Sequence, residues 1–184
     1  IGGGLHNSVS DGGSTVGGGV DNSALAQGSA IAGGGRNYTN QNYGSISGGF
    51  EDTINTSATY ATISGGQRNK ITASLGSIGG GKANTVSGDY STIAGGYSLR
   101  QTGIGSFGFN GYNTIADSAY VSANRTAYFG NVDLWLGNTD NTTSELRFFE
   151  AQSTDGTFPA AGTNYTGFKA GTQTADITYT LPVA

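Results

Sequence analysis

Residues 78–97 read IGGGKANTVSGDYSTIAGGY, and this stretch contains two copies of one short pattern. Ile-x-Gly-Gly begins at Ile78 and again at Ile93, fifteen residues later. Small and polar residues fill most of the interval between the two copies. A period this short cannot hold a pair of helices, but it suits one turn of a β-solenoid made of two short strands and two tight turns.

The pattern extends through the first two-thirds of the chain. Ile-x-Gly-Gly or Val-x-Gly-Gly occurs seven times, at spacings of 15, 15, 15, 17, 15 and 15 residues, and a weaker version continues at a spacing of 14. Stacked coils place equivalent residues above one another at about 4.8 Å, so this series predicts a ladder of interior side chains. The predicted ladder comprises Ile1, Val16, Ile31, Ile46, Ile63, Ile78, Ile93, Phe107 and Val121.

Two further series accompany the first. Eight positions after each Ile or Val, mostly apolar or β-branched residues from Val9 to Gln101 predict a second interior ladder. Six positions after each Ile or Val of the first ladder lies a polar series. It comprises Asn7, Asn22, Asn37, Asn69, Asn84 and Asn113. Asp52 takes the place of Asn in the fourth coil, and Leu99 interrupts the series. We interpret this series as turn residues, because Asn tolerates left-handed backbone geometry and bonds to nearby backbone. Stacked Asn side chains can also bond to one another along a ladder.

One coil is two residues longer than its neighbours. The extra residues lie near positions 55–58, and we predict that they form a loop at one turn. An insertion of two preserves the inside-outside alternation of a strand, so the ladders should continue past it.

The composition divides the chain into a repeat domain, residues 1–124, and a C-terminal β-rich module, residues 125–184. In the module we predict four strands, at residues 131–136, 145–150, 165–170 and 176–181. Alternating apolar residues mark the last of these as a half-buried strand. The predicted core of the module is Leu146, Phe148, Phe168, Ile177, Tyr179 and Leu181.

The composition excludes several classes of chemistry. The 184 residues include no Cys and one His, which argues against a zinc site or thiol chemistry. Charged residues make up 11%, the net charge is −4, and no basic patch predicts a nucleic-acid partner. No apolar run approaches the roughly 20 residues of a membrane-spanning helix. We therefore predict a protein that is not an enzyme and that binds no cofactor or metal.

Tyrosines supply the candidate contact residues. Tyr38, Tyr43, Tyr60, Tyr90 and Tyr97 fall in or beside predicted turns and could form one exposed stripe. The alternative interpretation is that their rings pack along the solenoid surface and serve stability alone.

The repeat predicts self-association. Each coil offers about two apolar interior side chains per 15 residues, a small core for the backbone that it must order. Further surface is therefore expected to be buried between subunits related by a symmetry axis.

The segments 84–91, NTVSGDYS, and 91–97, STIAGGY, resemble the head repeats of YadA-like trimeric autotransporter adhesins. The resemblance spans residues 1–124 and implies a left-handed parallel β-roll, three copies of which associate about a threefold axis in a surface adhesin. Residues 145–150, ELRFFE, and 164–170, NYTGFKA, are similar to modules of phage tail fibres and bacterial repeat-fibre proteins. In such proteins the module joins a repeat shaft to the next part of the fibre chain.

These inferences predict an all-β protein, a parallel β-roll of 14–15-residue coils followed by a small strand-rich module, assembled as a homotrimer. The predicted function is that of an extracellular fibre or adhesin segment at a cell or virion surface. It would bind a host glycan or matrix protein, or assemble end to end with further copies. The alternative is a receptor-binding, glycan-binding segment of a phage tail fibre. Because the chain contains no Met, we expect a processed product or a segment of a longer chain.

Overall fold

A computed structural model describes residues 1–55, 57–111, 118–134, 145–149 and 165–169. In these residues every regular element is a β-strand. The chain divides into two compact units, Ile1–Val132 and Asp133–Ala184.

The first unit is a parallel β-solenoid of about seven turns. Its odd-numbered strands form one eight-stranded sheet, the first sheet, and its even-numbered strands form the second sheet. Most strands are two residues long, because tight turns occupy the rest of each coil. The strands are β1 Ser8–Val9, β2 Thr15–Val16, β3 Ser23–Ala24, β4 Ala30–Ile31, β5 Tyr38–Thr39, β6 Ser45–Ile46, β7 Thr53–Ile54, β8 Thr62–Ile63, β9 Lys70–Ile71, β10 Ser77–Ile78, β11 Thr85–Val86, β12 Thr92–Gly96, β13 Leu99–Gln101, β14 Phe107–Asn110, β15 Ala119–Val121 and β16 Ala127–Gly130.

The predicted register holds through the long coil. Ile46 pairs with Ile63 in the second sheet, and Ile54 pairs with Ile71 in the first sheet. The two extra residues therefore lie between β7 and β8, where the sequence predicts them. Both sheets continue without a shift of register.

Two ladders of buried side chains fill the space between the sheets. Val16, Ile31, Ile46, Ile63, Ile78 and Ile93 are almost fully buried on the second sheet, as predicted. Ala24, Thr39, Ile54, Ile71, Val86 and Gln101 are fully buried on the first sheet. Each ladder pairs like positions in adjacent coils, so the periodicity of the sequence becomes a continuous core.

Three members of the predicted Ile ladder are placed differently. Ile1 is 61% exposed at the end of the stack of coils that the structure describes. Phe107 is 39% exposed, and Gly108 instead pairs with Ile93 at the interior position. Val121 is buried but pairs with Gln101 in the first sheet, so it belongs to the other ladder.

The physical reason for the change near Phe107 is Leu99. This Leu replaces the Asn of the earlier coils and is fully buried. A Cβ on Gly108 would meet Leu99 Cδ2 at 2.7 Å and Gln101 Oε1 at 2.8 Å. The interior position of that coil therefore carries a glycine. Tyr128, which pairs with Gly108 in the next coil, packs against the core.

The polar series forms a hydrogen-bonded ladder, as predicted, but its members are not the left-handed residues. Asn22, Asn37, Asn69 and Asn84 are fully buried, and the residue before each of them has positive φ. Each Oδ1 accepts the backbone N–H of the next rung, and each Nδ2 donates to two glycine carbonyls. Asn7 makes the same bonds at the first coil, and Asn113 lies outside the described residues.

The solenoid extends past the predicted boundary at residue 124. Strand β16 pairs with β14 in the second sheet, and the compact unit ends at Val132. In the second unit, β17 Glu145–Phe149 and β18 Tyr165–Lys169 form an antiparallel pair at two of the predicted strand positions. Residues 131–134 are not in a strand, and the predicted strand at 176–181 lies outside the described residues.

In that pair, Leu146 lies opposite Phe168, and the Phe148 and Phe168 rings meet edge to face at 6.2 Å. All three side chains are exposed, whereas the sequence predicts them in the core of the module.

Candidate functional site

Two columns of turn residues with positive φ run along the solenoid. One turn connects the second sheet to the first and contributes His6, Asp21, Arg36, Glu51, Arg68, Ala83 and Ser98, with φ between 54° and 59°. We name it the charged turn. The opposite turn contributes Gly13, Gly28, Tyr43, Tyr60, Leu75, Tyr90, Gly105 and Arg125. We name it the aromatic turn.

The charged turn alternates acidic and basic side chains. His6 Nδ1 lies 3.3 Å from Asp21 Oδ1. Glu51 bridges two coils, with Oε2 accepting from Arg68 Nε at 2.7 Å and Oε1 accepting from Arg36 Nη1 at 3.4 Å. The hydrogen bond from Arg68 is the main reason that the pKa of Glu51 is lowered. These groups are solvent-exposed, so their attraction contributes little to stability.

A short apolar column lies beside the charged turn. Leu5, Val20 and Phe50 occupy the position before the left-handed residue, within a column linked by single parallel bridges. All three are exposed. The Arg36 guanidinium lies over the Phe50 ring at 5.5 Å from its centroid. The column therefore combines apolar area with a cationic rim.

The aromatic turn carries large side chains where glycine would be conformationally easier. Tyr43, Tyr60, Leu75 and Tyr90 have φ between 56° and 59° and are 46–66% exposed. A bulky residue with positive φ is a conformational outlier and costs about 1–2 kcal/mol relative to glycine. Such strain is concentrated at sites where a side chain is needed for contact or function.

The rings at the aromatic turn are stacked, which limits what they can bind. Tyr43 and Tyr60 are parallel, with centroids 5.0 Å apart and planes 3° apart. The other face of Tyr43 lies against Gly28, where an added Cβ would meet the ring at 2.7 Å. Since both faces of the Tyr43 ring are covered, only the ring edge and the hydroxyl group are open to contact with a partner.

The five predicted contact tyrosines do not form one stripe. Tyr43, Tyr60 and Tyr90 share the aromatic turn. Tyr38 lies half-buried on β5, and Tyr97 lies beside the charged turn, with Lys82 Nζ 5.8 Å from its ring centroid. Leu75 continues the tyrosine column and is missing from the predicted set. Counting twelve positions from Ile63 to Leu75, as from Ile31 to Tyr43 and Ile78 to Tyr90, would have found it.

A buried carboxyl group replaces the amide at one position of the polar ladder. Asp52 replaces Asn in the fourth coil and is fully buried. Its Oδ1 accepts the Asn69 N–H at 2.8 Å, but its Oδ2 has no hydrogen-bond partner. Burial raises the pKa of Asp52, and this effect is opposed by the hydrogen bonds from Asn69.

The described residues contain no group of three or more His, Cys, Asp or Glu side chains that could hold a metal ion. Within the same residues, no helix has the length and hydropathy needed to span a membrane. No protein-family model matches the chain, and no curated protein matches it significantly. The exposed columns at the charged turn and the aromatic turn are the surface features that bear on function.

Proposed function

We propose that the chain is a structural segment of an extracellular fibre or adhesin, a homotrimer of left-handed β-rolls that mediates attachment or filament assembly at a cell or virion surface. The observation that carries the proposal is the pair of exposed apolar columns on opposite turns of a seven-turn solenoid. A soluble monomer rarely exposes contiguous apolar surface of this kind.

The placement of the columns favours a closed ring of subunits. A cyclic assembly joins two different patches, one on each side of every subunit, whereas a twofold dimer reuses one patch. Leu5, Val20 and Phe50 lie at one turn, and Tyr43, Tyr60, Leu75 and Tyr90 lie at the other. Each subunit thus has one apolar column for each of two neighbours.

The outward surfaces between the turns support a role in attachment. The second sheet shows Thr15, Ala30, Ser45, Thr62, Ser77 and Thr92 on its outer face, all small and uncharged. Five of these six side chains carry a hydroxyl group, and equivalent positions in adjacent coils lie about 4.8 Å apart. We propose a host glycan or matrix protein as the external partner.

The native mass tests the proposal. We expect multi-angle light scattering to give three chains per particle, and negative-stain images across a dilution series to show either discrete particles or rods of even width. Rods would support filament assembly, and discrete trimers would support attachment. Discrete trimers that also bind a glycan would fit both the adhesin and the tail-fibre alternative. A stable monomer at all concentrations would contradict the trimer and with it the proposed function.

A further inference from the structure

The buried ladder contains one position whose chemistry does not fit its surroundings. In the neighbouring rungs, Asn37 Nδ2 donates to Gly33 and Gly49, and Asn69 Nδ2 donates to Gly65 and Gly81, at 3.0–3.1 Å. These bonds satisfy the carbonyl groups of the glycine turns. Every such position needs a donor that points at two acceptors.

Asp52 Oδ2 occupies the place of that donor. The glycines three residues before the ladder residues mark this place. A Cβ added to Gly34 would lie close to Asn37 Nδ2, and a Cβ added to Gly66 would lie close to Asn69 Nδ2. For Gly49 the equivalent atom is Asp52 Oδ2, beside the Gly66 carbonyl oxygen. The Gly48 carbonyl, four residues before Asp52, is the second acceptor by the same register. The Gly66 carbonyl also accepts the Phe50 N–H at 3.0 Å, but an ionised Asp52 would still place Oδ2 beside carbonyl oxygens with no hydrogen between them.

We propose that Asp52 is a neutral carboxylic acid in the folded solenoid, and that its Oδ2–H donates to the carbonyl of Gly48 or Gly66. The proton would supply the bond that Asn Nδ2 supplies in the other coils. The fold would then take up one proton at this position, and the fourth coil would be a proton-sensitive point in an otherwise uncharged ladder.

A proton fits this position better than a metal ion. In the other coils the ladder nitrogen lies about 3 Å from each carbonyl oxygen. A Ca²⁺ ion needs six or more oxygen ligands at about 2.3–2.6 Å, and the space around Asp52 Oδ2 leaves no room for it. Side chains near the position do not supply a counter-charge. Arg36 and Arg68 bond to Glu51 on the exposed turn, Lys70 points outward from β9, and Tyr38 is half-buried on β5.

The sign of the pH effect is set by the burial of this group. Desolvation raises the pKa of Asp52 above the ordinary 3.8. The folded state therefore holds its proton at pH values at which the unfolded chain has lost it. Stability from this group is complete below the unfolded pKa and declines as the pH rises toward the folded pKa. In that window one proton changes the unfolding equilibrium constant by up to roughly tenfold per pH unit.

The experiment compares the full chain with Asp52→Asn in denaturant titrations from about pH 3.5 to pH 8, a range that starts near the ordinary pKa of an Asp side chain, at one fixed protein concentration. We expect the wild type to lose stability relative to Asp52→Asn as the pH rises. The difference between the two pH dependences should correspond to one bound proton. The matched control is Asp11→Asn, an exposed carboxylate whose Oδ1 accepts the Gly12 N–H. It makes the same Asp-to-Asn change at an exposed position and should leave the wild-type pH dependence unchanged.

Two results would overturn the proposal. One is a pH dependence that is the same in the wild type and in Asp52→Asn. The other is a gain of wild-type stability at neutral pH on adding calcium or sodium chloride that Asp52→Asn does not show, which would indicate a cation beside Asp52 Oδ2. A carbonyl-stretch infrared band of a protonated acid, present in the folded wild type above the ordinary pKa of Asp and lost in Asp52→Asn, would support it independently. The trimer is not assumed in any arm, so this test and that of the proposed function can fail separately.

Discussion

At the scale of single residues, the solenoid separates two tasks that the sequence pattern assigns to one residue. The buried Asn makes the hydrogen bonds, and the residue before it takes the left-handed conformation. The sequence could reveal the Asn period but not this division, because Arg36, Glu51 and Arg68 are not typical residues for positive φ. The surrounding coils hold them in that conformation.

The Asn ladder should be most important where it is most buried. We expect Asn69→Ala to lower the free energy of unfolding by about 3 kcal/mol, because it removes the buried hydrogen bonds to the Asn84 N–H and the Gly65 carbonyl, while the Gly81 carbonyl keeps the Gln67 N–H. Asn7→Ala, in the half-exposed first rung, should cost below about 1 kcal/mol, since water can replace its bonds. Urea denaturation measures both, and equal losses would contradict the ladder as a source of stability.

At the scale of the elements, period alone predicts the strands, the two interior ladders and the position of the two-residue insertion. The prediction fails where the coil changes composition. Leu99 enters the interior in place of Asn, Gly108 makes room for it, and Phe107 moves to the exterior. Steric exclusion between side chains in adjacent coils is not visible in a one-dimensional pattern, so the period predicts the wrong positions in the last coils.

A pair of substitutions checks this reassignment. Ile93→Ala should cost about 3–4 kcal/mol, because Ile93 is fully buried between the sheets. Phe107→Ala removes a larger side chain but should cost about 1 kcal/mol, because Phe107 is partly exposed and touches Phe129 at a centroid distance of 5.8 Å. Thermal or urea denaturation gives the comparison. A loss at Phe107 that matches the loss at Ile93 would restore Phe107 to the interior ladder.

The candidate contact residues show the same limit. Tyr43 and Tyr90 could be placed in one column by counting from their Ile residues, and Tyr60 joins them once the insertion is allowed for. Tyr38 and Tyr97 have other offsets and lie in other columns. The stacking of Tyr43 on Tyr60 depends on ring orientation, which no period encodes.

At the scale of the whole molecule, the aromatic turn should govern association. We expect Leu75→Asn to shift the light-scattering mass toward monomer relative to the proposed wild-type trimer at the same concentration. The change removes exposed apolar area while Asn tolerates the left-handed backbone of that position.

Ala83→Asn is the matched control for that change. It introduces the same residue at an equivalent φ of 59° on the charged turn, away from the aromatic column. The control should leave the mass unchanged. A mass that falls equally in both variants would point to a general loss of stability and would count against the aromatic turn as an interface.

Each coil of the solenoid pairs only with the coil before it and the coil after it. The hydrogen bonds between coils run along the solenoid axis, so a load applied to the two ends stretches them lengthwise. Terminal coils have neighbours on one side and would peel away first. Each 15-residue coil that unfolds adds up to about 50 Å of extended chain. Under tension the molecule should lengthen in steps, as a tether that yields repeatedly before it breaks.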